Sequence, residues 1–158
     1  MNTLATFPST RNERGLRGAW NRLAEFLSRA ISDSLLALAA RFAVAGIFFQ
    51  SGRTKVDGWL TLTDGAYALF REEYKVPLVP PEIAAHLAAY AEHLFPLLLA
   101  LGLCTRLSAL ALLGMTAVIQ VFVYPDAWAT HLSWAALLLL LIGRGGGAMS
   151  LDRAIGLK

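Results

Sequence analysis

The chain has 158 residues, 56% hydrophobic and only 16% charged, with a mean hydropathy of +0.54, well outside the range of an ordinary soluble domain. Its formal charge of +3 and isoelectric point near 9.4 come from basic residues that border apolar runs, not from a stripe interleaved with stacking aromatics, which argues against nucleic acid as a partner. The single cysteine, Cys104, excludes an intrachain disulfide, a CxxC redox pair and a thiolate metal cluster, and is read as a small apolar side chain at the membrane border.

The first dozen residues, "MNTLATFPSTRN", read as disordered. In "RGLRGAWNRLAEFLSRAIS", Leu16, Trp20, Leu23, Leu27 and Ile31 recur at helical spacing, with Arg14, Arg17, Arg22 and Arg29 on other faces. That pattern predicts a helix lying on the inner leaflet; a helix docked on a partner protein has the same pattern. Four apolar runs then approach the roughly 20 helical residues needed to cross a hydrocarbon core: Ser34 to Ser51, Ile83 to Leu103, Leu107 to Tyr124 and Ala127 to Gly143. The first carries Arg41 and no small-residue cleavage pattern, so it is expected to stay in the mature protein. Between runs one and two, Tyr67, Phe70 and Tyr74 recur beside Leu69 and predict a short outer helix, stopped by prolines; Pro81 and Glu82 then make a good helix start. The links "GLCTR" and "VYPDAW" are tight turns, which force antiparallel neighbours. Gly145 to Gly147 release the fourth run, and Ser150 with Asp152 can cap a short terminal helix that serves as an anchor.

The fold class expected is therefore all-α: an integral membrane four-helix bundle, with an amphipathic interfacial helix before it and a short outer-face helix between spans one and two. Residues 1–33 form the arm, 34–143 the membrane domain and 144–158 the tail. With both ends in the cytoplasm, nine basic residues lie inside (Arg11, Arg14, Arg17, Arg22, Arg29, Arg106, Arg144, Arg153 and Lys158) and four outside (Arg53, Lys55, Arg71 and Lys75). This asymmetry favours a bacterial inner-membrane protein with N and C termini in the cytoplasm.

Polar residues inside the spans are the candidates for function. Arg41 lies roughly 10 Å inward from the start of the first span and Glu92 roughly 15 Å from the end of the second. Unpaired, each costs about 2.5–3.5 kcal/mol at the bilayer centre, so an Arg41–Glu92 pair is expected. Pro96, four residues after Glu92, removes the helix partner of the Glu92 carbonyl, predicting a bend and a polar pocket shared with His93. Nearer the outer face, His86, Gln120 and His131 fall at a similar depth and can converge; Tyr90 stands with them as a cofactor-binding candidate. His86 and His93, seven apart, share a helix face and can connect the layers.

Such groups in a membrane point to proton or quinone chemistry, with Glu92 exchanging a proton, Arg41 tuning it and His93 donating a hydrogen bond to a headgroup carbonyl. A purely structural pair, with histidines bonded to carbonyls or headgroups, accounts for the same residues. Two histidines and a glutamine can in principle hold copper or zinc, and His86 or His93 opposite His131 a haem. The sequence has no HExxH, no paired Glu-x-x-His and no cysteine or methionine cluster, so no metal or haem is assigned.

"RFAVAGIFFQSGRTK", "EHLFPLLLALGLCTR" and "GRGGGAMSLDRAIG", in that order and spacing, resemble the three signature blocks of the DoxX family of small four-helix bacterial membrane proteins. The likeness covers about Leu35 to Leu157. Arg41, Gly46, Gly52 and Lys55 match the first block, Glu92, Gly102 and Arg106 the second, and Gly145, Ser150, Leu151 and Asp152 the last; Gly147 stands where relatives often have a Gly-Pro-Gly. The family is named for a membrane subunit associated with quinone-linked oxidation of thiosulfate. The resemblance implies a membrane subunit of a quinone-linked oxidoreductase, with a membrane or soluble redox protein as partner and self-association open. "QVFVYPDAWATHLSWAALLLLLIGRG" resembles a branch often encoded beside enzymes that modify small metal-binding peptides, which adds interest to His131. The alternatives are a non-catalytic scaffold or assembly partner, and a metal-handling or small-solute transport protein using the outer His/Gln layer.

Overall fold

A computed structural model describes residues 15–74 and 76–157. The N-terminal dozen expected to be disordered, and the topology-setting Arg11, Arg14, Lys75 and Lys158, lie outside the described residues. The described residues divide into two compact units, one ending at Ser32 and the other beginning at Asp33.

In the first unit, α1 (Leu16–Ala30) is the amphipathic helix foreseen, with an Arg29–Glu25 pair at 3.5 Å on its polar side. Leu16, Trp20, Leu23, Phe26 and Leu27 of this helix are all exposed.

The second unit is the membrane bundle. Its spanning helices are α2 (Asp33–Arg53), α4 (Pro81–Leu101), α5 (Thr105–Phe122) and α6 (Trp128–Arg144), the last entered through a 3-10 turn at Pro125–Ala127. All four are long and apolar enough to cross a bilayer. The protein is thus an all-α integral membrane protein. Lipid-facing positions such as Leu94, Leu107, Leu132 and Leu139 are exposed, where a soluble domain would bury them. Inside, Val44, Phe48, Leu99, Leu112, Leu138 and Leu141 form the core. Ala37, Ala40, Ala85, Ala89 and Ala109 are buried among the helices; small residues at such contacts let backbones approach where lipid gives no hydrophobic drive for association.

Local chemistry fixes the ends. Pro81 opens α4 with Glu82 in its first turn, and Gly102, at φ +68°, closes it: the Leu103 N–H reaches the Leu98 carbonyl at 2.9 Å in a Schellman-type stop. The helix runs on through Pro96. Between α2 and α4 the chain makes a two-residue-per-strand hairpin, β1 (Val56–Asp57) with β2 (Thr61–Leu62), which the sequence pattern had not suggested. The helix α3 (Asp64–Glu72) follows, capped by the Thr63 hydroxyl and held to α4 by Arg71 on Glu82 at 2.7 Å. After α6, Gly145 turns the chain at φ +74° into a loop and the short α7 (Leu151–Ala154), capped by Ser150 as expected. Asp152, expected to share that cap, is used elsewhere.

Candidate functional site

The register of α2 against α4 decides which polar groups meet. A β-carbon on Gly52 would lie 2.9 Å from the His93 ring and 3.0 Å from the Glu92 β-carbon, so only glycine lets the two helices close at this level. Gly52 therefore sits opposite Glu92 and His93. Arg41 is eleven residues, roughly 16 Å of helical rise, farther down α2. That separation overturns the expected Arg41–Glu92 pair.

Glu92 pairs instead with Lys55, at 2.7 Å, both nearly fully buried. Lys55 follows the end of α2 and folds back along it. Its ammonium donates to the Ser51 carbonyl (3.3 Å), the Ser51 hydroxyl (3.1 Å) and Glu92 Oε2 (2.7 Å), matching three N–H groups with three acceptors. The Ser51 hydroxyl donates in turn to Glu92 Oε1 at 3.2 Å. The cost of burying two charges is offset only by such close, fully bonded pairing.

Ser51, Lys55 and Glu92 line one side of a cavity of about 430 Å³, within the range of small-molecule sites. Its other walls are apolar, including Leu87 and Ala91 from α4 and Val118 and Ile119 from α5. Tyr74 and Tyr124 also line it, their hydroxyls 3.0 Å apart. Burial, then the hydrogen bond to Tyr124, pushes the Tyr74 phenol above its ordinary value, so it stays a neutral donor. The site is thus an oily chamber with a charged, hydrogen-bonding wall and two phenols.

His93 is beside Glu92 in sequence but faces Gly52 and the edge of Phe49 (ring centroids 5.3 Å), and is not among the residues lining the chamber. Its Nδ1 lies 2.7 Å from the Ala89 carbonyl, which can only accept, so Nδ1 carries the proton. The buried Nε2 is left without a partner, and in the neutral ring it is an acceptor, not the donor expected.

The outer layer divides in two. His131 Nδ1 donates to Gln120 Oε1 at 2.7 Å, and Gln120 Nε2 donates to the Pro125 carbonyl at 2.7 Å, so this triplet ties α6 to α5 and the turn between them. His86 bonds the Glu82 carbonyl through Nδ1 (2.8 Å) and the Tyr67 hydroxyl through Nε2 (3.3 Å), with Tyr90 edge-on at 5.8 Å. The expected convergence of His86 with Gln120 and His131 is therefore not formed. Gln120 and His131 do meet, across α5 and α6, whereas His86 is bonded within α4 and to Tyr67 at the α3 side, where no partner had been foreseen. Among the described residues no three His, Cys, Asp or Glu side chains are placed to hold a metal.

Arg41, 2% exposed, serves the opposite end of the bundle. Its Nε donates to the Leu99 carbonyl (2.7 Å), Nη2 to Ala100 (2.6 Å), and Nη1 to Gly146 (3.1 Å) and Met149 (2.8 Å). It thereby satisfies the Ala100 carbonyl at the end of α4, adds a second donor to the Leu99 carbonyl, which also accepts the Gly102 N–H, and binds that end to the loop before α7. Asp152 completes the joint from the other side, accepting from the Cys104 and Thr105 N–H groups at 2.7 and 2.8 Å and so capping α5. Burial raises the Asp152 carboxyl, but those N–H groups and the charge of Arg41 outweigh it and hold the group below its ordinary value.

The DoxX family profile matches residues 36–125. The chain belongs to the DoxX family. It is also 31% identical over 137 residues, 80% of this chain and 87% of the other, to a Haemophilus influenzae protein described as an uncharacterized protein. No solved structure matches it. The DoxX-matched segment contains Arg41, Ser51, Lys55 and Glu92, and thus the whole ion-paired wall of the chamber, whereas His131 and Asp152 lie beyond it. The sequence marks Lys55 as an outward-facing cation and a match to the first DoxX block, marks Tyr74 only by its helical spacing, and leaves Ser51 and Tyr124 without a site role. The available signal was the spacing of Ser51 and Lys55, four apart at the mouth of a span whose antiparallel neighbour carries an acid.

Proposed function

We propose that this DoxX-family protein is the bacterial inner-membrane component of a redox system, N and C termini in the cytoplasm, and that its chamber receives a quinone headgroup. The observation that carries this reading is the buried Lys55–Glu92 pair forming the polar wall of an otherwise apolar chamber inside the bundle. An intramembrane ionisable pair is a functional candidate by default, and the donor set suits a ring that is apolar on its faces and bears a carbonyl at each end. A bound quinone supplies the capacity to take up two electrons and two protons.

The chain's own groups do the rest. The apolar walls desolvate the ring. Lys55 Nζ is the donor placed to orient a carbonyl, exchanging its Ser51 contacts for it. Glu92 exchanges a proton at Oε2: the resting carboxylate first takes one up, gives it to the headgroup, and returns to the carboxylate that Ser51 and Lys55 hold. Tyr74 and Tyr124 offer hydroxyls toward the second carbonyl. Arg41 belongs to the structural joint, and His93 backs the helix contact. Electrons enter from a redox protein partner.

The test is extracted quinone per chain, on protein purified in mild detergent, for wild type and Glu92→Gln matched for folding. Stoichiometric quinone in the wild type and its loss in E92Q is the expected result. Well-folded wild type that neither retains quinone nor takes it up on addition would falsify the proposal and leave the scaffold reading in its place.

A further inference from the structure

A second recess lies at the other end of the bundle, where α6 stops and α7 begins. It measures about 450 Å³ and is lined by Arg106, Arg144 and Arg153, the backbone of Gly145–Gly147, and Asp152. We infer that this recess binds a phosphate-bearing anion, namely the headgroup phosphate of an anionic lipid.

Three guanidinium groups line the recess against two carboxylates, Asp152, which is already committed to the Cys104 and Thr105 N–H groups, and Asp33, outside the lining, which pairs with Arg144. The arginines keep donors to spare. Arg106 uses only Nη1, on the Ile142 and Gly143 carbonyls, and Arg144 uses Nη1 on Asp33. The Arg153 side chain has no hydrogen bond or ion pair with a described residue. Forked guanidinium donors suit phosphate oxygens in a way a point charge does not. Gly145, at φ +74°, puts no side chain beside the Arg106 guanidinium, where a β-carbon would lie 3.7 Å from Nη2.

Placement favours a lipid over a soluble phosphate. Arg144 ends a spanning helix and Arg106 stands in the first turn of another, so the recess opens at headgroup level. Met149, Leu151 and Ile155 beside it are exposed apolar residues, and Leu157 lines it, giving acyl chains a surface.

The test uses full-length, delipidated protein in mild detergent, titrated with phosphatidylglycerol, with diacylglycerol that lacks the phosphate, and with inorganic phosphate, read by native mass spectrometry. Phosphatidylglycerol should bind, diacylglycerol should not, and Arg153→Gln should weaken binding about fivefold, the ~1 kcal/mol that a juxtamembrane basic residue contributes. Arg17→Gln, which removes the same charge from α1, should leave affinity unchanged. Displacement of phosphatidylglycerol from the wild type by excess inorganic phosphate supports the site without any variant. Phosphate binding with the same Arg153 dependence but no lipid binding would keep the anion site and overturn its lipid occupant. Equal binding of both lipids, or equal weakening by R153Q and R17Q, would overturn the inference.

Discussion

Replacing Lys55 with methionine is the sharpest test of the chamber wall. Methionine fills a similar volume, so packing is largely kept while one charge and three hydrogen bonds are lost. Glu92, 3% exposed, would keep only the Ser51 hydroxyl. Removing one member of a buried pair typically costs 3–5 kcal/mol. The surviving Ser51 bond and protonation of the acid both soften that here, so about 3 kcal/mol is expected, near the low end. Substituting both members, Lys55→Met with Glu92→Leu, removes the stranded charge together with its partner and should return stability to within about 1 kcal/mol of wild type. The difference between the double variant and the sum of the singles should then be at least about 2 kcal/mol. The assay is reversible unfolding in mixed micelles, with Ser51→Ala as a third corner. An Arg41–Glu92 cycle run in parallel should be additive, because the two are a helical half-span apart. Additive Lys55 and Glu92 effects, or coupling of Glu92 to Arg41 instead, would refute the pairing and with it the chamber's charged wall.

Other consequences can be read from the same preparation. Gly52→Ala should destabilise the bundle by about 1–3 kcal/mol, since the new β-carbon meets the His93 ring at 2.9 Å and must push α2 from α4; thermal unfolding in detergent measures it. Arg41→Met should cost about 1–3 kcal/mol by taking the guanidinium donors from the Ala100, Gly146 and Met149 carbonyls, the Leu99 carbonyl keeping the Gly102 N–H, while quinone retained per folded chain stays at the wild-type value. The Asp152 carboxyl lies below its ordinary value in the folded state, so the stability it adds is full above the unfolded value near 3.9 and is lost as pH falls through the folded one. Asp152→Asn should therefore lower stability at neutral pH and flatten the acid limb of a stability–pH curve below about pH 4; an unchanged acid limb would show that the α5 cap is not its source.

Much of the fold was legible because the bilayer imposes long apolar runs and short links impose antiparallel neighbours. The four spans, α1 and α3 follow from those two constraints. The hairpin at Val56–Leu62 was not legible, because strands of two residues leave no periodicity to read. The site was half legible. Glu92 stands out because an acid in a span is expensive, but its partner depends on register, and register here is set by Gly52, a residue whose meaning lies in what it permits. Assuming level helix ends placed Arg41 within reach of Glu92; the glycine contact shifts α2 so that Lys55, beyond the helix, takes that place. The histidines were misread for a related reason. A carbonyl four residues earlier on the same helix satisfies His86 and His93 locally, and spacing alone does not distinguish that from a ligand aimed at a neighbour.

The two buried cations then divide the labour of the bundle in a physically sensible way. Arg41 has five donors in a rigid fork and places four bonds on backbone carbonyls of α4 and the last loop, so its removal damages the joint between α4, that loop and α7. Lys55 has a flexible stem and three rotatable donors, two of them spent on Ser51, and can release one to an incoming group without opening the helix ends. A fixed fork suits a structural joint, and a mobile ammonium beside a carboxylate, against an apolar chamber, suits exchange. That difference in side-chain chemistry is why the proposal rests on the chamber and not on Arg41 at the other end of the bundle.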